Sequence, residues 1–143
     1  MDCLLIFAQN LATMDFQEFF IEMGRLLYAT AMMDGKVQKD EVNKVKQIVN
    51  DQLTEMVESY DAFGTSNAFY LEFEFERLND IEARIRDAFD SFISYANENK
   101  ADFTPEIKKL VMVSCEKVAN AFNGIEDNER VLLNKLRRHL DSL

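Results

Sequence analysis

Apolar residues recur at three- and four-residue spacing along most of the chain, which is the pattern of amphipathic helices. The first strong segment is "DFQEFFIEMGRLLYATAMMDG". Asp15 with Glu18 forms a capping box at its start. Phe16, Phe19, Phe20, Met23, Leu27 and Ala31 make one stripe, and Leu26, Tyr28, Met32 and Met33 widen it. A stripe that wide predicts a helix buried on most sides. Gly35 ends it, as a C-terminal Gly in the left-handed region commonly does. A second helix follows over "KDEVNKVKQIVNDQLTEMVESY". Val42, Val45, Val49, Met56 and Tyr60 share one face, with Ile48 and Leu53 beside it, and Asp40 with Lys44 is a favourable i,i+4 pair. "FGTSN" then breaks the chain.

The segment "AFYLEFEFERLNDIEARIRDAFDSFISYANEN" carries two patterns at once. "YLEFEFE" alternates apolar and acidic residues, as a strand does. Yet Leu71, Phe75, Leu78, Ile81, Ile85, Phe89, Phe92 and Ala96 keep helical spacing throughout. Asp80 with Arg84 and Glu82 with Arg86 add i,i+4 pairs with the acid first. A lone strand would have no partner, so the reading is one long helix from about residue 67. Thr104 and Pro105 then start another helix as N-cap and first helical residue. Its stripe is Ile107, Leu110, Val111, Ser114, Val118 and Phe122, and Gly124 ends it. The last helix places Val131, Leu132, Leu136 and Leu140 inside, with Arg137, Arg138 and His139 at its C-terminal dipole.

"ATAMMDGKVQKDEVNKVKQIV" and "VANAFNGIEDNERVLLNKLRRHL" share a plan: an Ala-rich helix end, a Gly turn, an acidic run and an amphipathic helix. The fold expected is therefore all-α. It is a compact bundle of about six helices, in which two related helical hairpins, with Gly35 matching Gly124, are joined by a long helix. Residues 15–33 and 105–122 should form its buried centre.

A chain of 143 residues fits a single domain, 1–143. The net charge of -10 repels phosphate backbones and anionic lipid, which argues against nucleic acid or a membrane surface as partner. The apolar run Cys3–Ala8 is too short for a membrane span and follows an Asp, so it reads as a short docking helix. Two distant cysteines make no disulfide framework, which points to the cytoplasm.

Catalytic chemistry finds little footing. His139 is the one histidine, so neither a zinc site with two His ligands nor a Glu-x-x-His di-iron bundle can form. There is no phosphate-binding Gly loop and no Cys-x-x-Cys, and no cofactor or metal is expected. A Cys115–His139 pair is formally possible, but Cys115 lies in an apolar run where thiols are inert. Glu72, Glu74, Glu76, Asp80, Asp87 and Asp90 alternate with arginines and read as a solvated helix face, or else a charged docking surface. Met14, Met23, Met32, Met33 and Met56 read as core rather than as an adaptable binding groove. Twelve Phe is rich for this length, so some should face a partner. Phe69, Tyr70 and Phe73 lie off the main stripe of the long helix and are the candidate interface, for a protein partner or a homodimer.

"AMMDGKVQKDE" matches the back half of a calcium loop. With Gly35 at the sixth position, Asp34 is fifth and Glu41 twelfth, but the first and third become Thr30 and Met32. Half of the coordination sphere is missing. The stretch is therefore read as a turn, with Asp34, Gly35, Asp40 and Glu41 as a candidate functional loop and weak ion binding as the alternative. A saturated ion site would stabilise by about 2.7 kcal/mol, or roughly 5–10 °C in Tm. Millimolar calcium or magnesium is expected to shift Tm by less than about 2 °C. A larger, saturable shift that vanishes in Asp34→Asn would make this loop the functional site.

The stretch "ATAMMDGKVQKDEV" resembles the signature segment of the TerB-like proteins through Asp34, Gly35, Val37 and Glu41, and "VANAFNGIEDNE" is similar to the family's second copy, with Asn123 in place of the acid. These are small all-helical domains linked to tellurite resistance and also found at the N-terminus of a membrane-anchored DnaJ-like chaperone. The resemblance covers about fifty residues. It implies a cytoplasmic, non-enzymatic helical domain in stress or envelope biology, with acidic turn residues suspected of holding a divalent ion. Two function classes follow: an interaction or adaptor domain that self-associates or docks a protein, and a divalent-ion-responsive module using residues 34–41.

Overall fold

The computed structural model describes residues 15–33, 39–49, 51, 68–121 and 127–143, and helix-forming residues and well-placed caps divide these described residues into six α-helices. We number them α1 Phe16–Met32, α2 Lys39–Val49, α3 Ala68–Asp80, α4 Ile85–Glu98, α5 Pro105–Ala121 and α6 Asp127–Asp141; a short 3-10 turn, Lys100–Asp102, links α4 to α5. The all-α expectation holds, and residues 69–75 are helical despite their strand-like alternation. No helix among the described residues is long and apolar enough to cross a membrane.

The caps are those legible in the sequence. Asp15 accepts a hydrogen bond from the Glu18 amide at 3.2 Å. Thr104 Oγ1 accepts one from the Ile107 amide at 3.3 Å, with Pro105 at the first helical position. Each side chain satisfies one of the amides that a helix start leaves without a partner.

The first helix, α1, is the centre. Phe19, Phe20, Met23, Leu26, Leu27, Tyr28 and Ala29 are fully buried, as its wide apolar arc requires. It packs on α3 and α4 most extensively and then on α5. In α5, Ile107, Leu110, Val111, Cys115, Val118 and Ala119 face the same core. Phe92, Tyr95 and Phe103 meet with ring centroids 6.0–6.4 Å apart, and Phe19 joins Phe103 edge-on at 6.4 Å. Edge-to-face contacts of this kind add to area burial.

Three expectations are corrected. The long helix from residue 67 is two helices, broken between Asp80 and Ile85. The break is a Schellman closure: the Ala83 amide bonds the Leu78 carbonyl at 3.0 Å and the Glu82 amide bonds the Asn79 carbonyl at 3.3 Å. Glu82 takes the left-handed position, φ 51°, that Gly usually holds. The Tyr28 hydroxyl donates to the Ala83 carbonyl at 2.6 Å and pins this turn to α1. Ile81 is consequently exposed, and the spacings Asp80–Arg84 and Glu82–Arg86 no longer lie on one helix face. The second correction is Val131, which is exposed, while Leu133 takes the inward position beside Leu132, Leu136 and Leu140. The third is Glu74, which is buried instead of solvated. The Cys3–Ala8 run, the "FGTSN" break, the end of the second helix beyond residue 51, and the Gly35 and Gly124 turns that would register the two hairpins lie outside the described residues.

Candidate functional site

Helix α3 buries Ala68, Leu71, Glu74, Phe75 and Leu78 against the bundle. Helical geometry then turns Phe69 and Phe73, four residues apart, to the outer side. Both rings are exposed, 51% and 57%, and they stack with centroids 6.2 Å apart and planes 29° from parallel. Tyr70, half-buried, meets Phe69 edge-on at 6.3 Å. All three candidate interface residues are thus brought together within about one turn.

They form one wall of a groove of about 470 Å³ between α3 and α1. Gln17, Ile21 and Arg25 come from α1, and Glu74 and Arg77 close the charged end. The outer face of α3 therefore changes along its length, aromatic at Phe69 and Phe73 and charged from Arg77 onward. Leaving a Phe side chain in water forgoes about 1.5–3 kcal/mol of burial. Two stacked side by side at the edge of an open apolar groove are a different matter from scattered exposed apolar residues, which need no explanation.

Beneath the groove lies a polar node that joins three helices. Arg25 Nε donates to Glu74 Oε2 at 2.7 Å, and its Nη1 donates to Glu22 Oε1 at 2.7 Å and to Ser91 Oγ at 2.8 Å. The Ser91 hydroxyl donates in turn to the Glu22 carboxylate, whose oxygens lie 3.1 and 3.0 Å away. Arg77 Nε and Nη2 reach Glu74 Oε1 and Oε2 at 2.5 and 3.2 Å. The side chains of Glu22 and Glu74 are only 10% and 7% exposed, whereas Arg25 and Arg77 are 31% and 45% exposed. Burial without full compensation raises the Glu22 carboxyl above its ordinary value, against the opposing pull of Arg25 and Ser91. Burial also raises Glu74, but its bonds and charge interactions with Arg77 and Arg25 together outweigh that and hold it below its ordinary value. Sequence reasoning missed this node, because Arg25 meets partners 49 and 66 residues away.

The remaining candidates are placed as follows. Asp34 and Gly35 lie outside the described residues; Asp40 and Glu41 fall on the first turn of α2, with their side chains outside them too. Thr30, which would hold the first ligand position of a calcium loop, is buried, with its hydroxyl on the Leu26 carbonyl at 2.9 Å. Cys115 is fully buried, and burial pushes its thiol up to about 12, with the Thr30 hydrogen bond a smaller opposing influence. A thiol held protonated that far above neutral pH is a poor nucleophile. Among the described residues, no group of three or more His, Cys, Asp or Glu is placed to hold a metal ion. Glu76 pairs with Lys46 at 2.8 Å and ties α3 to α2.

Compared with family models, with curated proteins and with solved structures, the chain matches none.

Proposed function

We propose that this protein is a non-enzymatic helical interaction domain that docks another protein through the Phe69–Tyr70–Phe73 face of α3. The observation that carries the reading is the stacked pair Phe69 and Phe73, exposed at the edge of the groove lined by Gln17, Ile21 and Arg25. Aromatic anchors clustered on an otherwise charged surface are the usual core of a protein interface. The hydrogen-bonded node under the groove, which ties α1, α3 and α4, supports the same reading, since preorganised surfaces lose less entropy on binding. The resemblance of residues 29–42 to TerB-like proteins agrees with an adaptor role in the cytoplasm, in stress or envelope biology.

The test is the double substitution Phe69→Ser with Phe73→Ser. Neither ring is part of the buried core, so the fold should survive within about 0.5 kcal/mol. Binding to a partner, or the mass measured by light scattering if the partner is a second copy, should fall sharply, since a buried aromatic anchor is commonly worth 2 kcal/mol or more. A folded double variant with unchanged association and unchanged partner capture would remove this face from the function.

A further inference from the structure

We infer that the groove takes an amphipathic helix that presents apolar side chains to Phe69 and Phe73 and a carboxylate to Arg77 and Arg25; this rests on the docking role proposed above. The argument is one of charge complementarity. Among the described residues, the groove lining holds two guanidiniums, Arg25 and Arg77, and one carboxylate, Glu74. Glu74 already accepts three hydrogen bonds, Oε1 from Arg77 and Oε2 from both Arg25 and Arg77, so its charge is engaged by both guanidiniums. Glu22, the second carboxylate on Arg25, is held by Ser91 of α4 and does not line the groove. Among the described residues, Nη2 of Arg25 and Nη1 of Arg77 have no hydrogen-bond acceptor, although both arginines line the groove.

The lining is thus locally cationic in a chain whose net charge is -10. A basic partner residue would meet two guanidiniums and a carboxylate that both of them already engage. A carboxylate would complete a charge-assisted, fork-shaped contact. The spacing follows from helix geometry. Phe73 to Arg77 spans four residues, roughly 6 Å, and Phe69 to Arg77 eight, roughly 12 Å, so a docked helix needs its Asp or Glu about one turn beyond the nearer member of its apolar pair and two beyond the farther.

The experiment is selection of a phage-displayed library of amphipathic helices on the full-length chain. The expected clones carry apolar residues three or four apart and an Asp or Glu about one turn beyond the nearer of them. Their enrichment should vanish on the Phe73→Ser chain. On the Arg77→Gln chain the apolar spacing should persist and the acid should not. Arg77 suits this test because its side chain is 45% exposed and Arg25 still holds Glu74. A synthetic copy of an enriched peptide should lose about five- to tenfold in affinity when its acid becomes the amide, and nothing on the Arg77→Gln chain. Enrichment that depends on Phe73 but shows no acid, or a Lys or Arg in its place, overturns this inference and leaves the docking role standing. A dimer that Phe73→Ser dissolves would make a second copy the occupant, with the same consequence. Broadening of groove amide signals by a nitroxide on Cys3, without peptide, would assign the groove to the chain's own first residues and overturn the inference too. No enrichment on a folded, monomeric chain overturns both.

Discussion

Replacing Arg25 by Met should lower the unfolding free energy at neutral pH by about 3–5 kcal/mol, the usual cost of breaking a buried ion pair on one side. In a domain of this size that is roughly 10–15 °C in Tm. Arg25 bonds Glu22, Glu74 and Ser91 together, and so ties α1, α3 and α4. Without it, among the described residues, Glu22 keeps the Ser91 hydroxyl alone and Glu74 keeps Arg77 alone. Both carboxylates remain buried, and a buried charge without compensation costs far more than the pair contributes. Partial exposure of Arg25 places the effect toward the lower end. The pH dependence checks the cause. The native Glu74 carboxyl lies below its ordinary value, so its share of stability is present above the ordinary Glu range and lost as pH falls through the lowered value. The native Glu22 carboxyl lies above its ordinary value, so its burial costs stability at neutral pH that is recovered as pH falls. The gap between wild type and Arg25→Met should therefore narrow on acidification toward the Glu range, where the orphaned carboxylates can take up protons. Adding Glu22→Gln to Arg25→Met should restore part of the loss, since an amide has no charge to bury. Urea titrations at several pH values measure all three. A loss below about 1 kcal/mol at neutral pH, the worth of an exposed pair, would mean that the node does not hold the helices together.

Gly24→Ala should also destabilise, by about 1–2 kcal/mol, although the same change at an ordinary helical Gly stabilises by about 1 kcal/mol. A Cβ on Gly24 would lie 2.7 Å from the Leu71 carbonyl oxygen and 3.2 Å from Glu74 Cβ. The first obstacle is backbone, so no side chain can rotate away. The two helices must separate, and overpacking of this kind costs about 1–3 kcal/mol, which more than offsets the gain in helix propensity. Gly24→Val should cost more than Gly24→Ala. Because α1 and α3 also form the two walls of the groove, either substitution should weaken docking along with stability. Chemical denaturation of the two variants decides the sign; a Gly24→Ala chain more stable than wild type would mean that α1 and α3 do not approach this closely.

Much of the fold could be read from local chemistry. Asp15 and Thr104 cap helices because their side chains reach amides three residues on, and that spacing is visible in the sequence. The break after α3 was not legible, because the left-handed position belongs to Glu82, with no Gly or Pro to mark it, and Ile81 and Ile85 continue the helical spacing across it. What fixes the turn there is remote: the Tyr28 hydroxyl comes from α1, 55 residues earlier. Val131 was misplaced because four apolar positions near one turn, Val131, Leu132, Leu133 and Leu136, fit more than one helical phase. The exposure of Phe69 and Phe73 was legible because they fall off the buried stripe of Leu71, Phe75 and Leu78, a matter of helical period alone. The node beneath them was not, since an acid among alternating charges looks solvated until Arg25 and Ser91 are brought to it.

The most direct test of the docking face is amide NMR mapping of the wild-type chain with a helical peptide selected on it. Shifts should cluster at Gln17, Ile21, Arg25, Phe69, Phe73 and Arg77, the two walls of the groove. The chain offers a built-in comparison in a second apolar groove, where Met33, Ile85, Phe89 and the exposed Val131 meet. Shifts confined to that second groove, or absent around Phe69 and Phe73 at saturating peptide, would contradict the account.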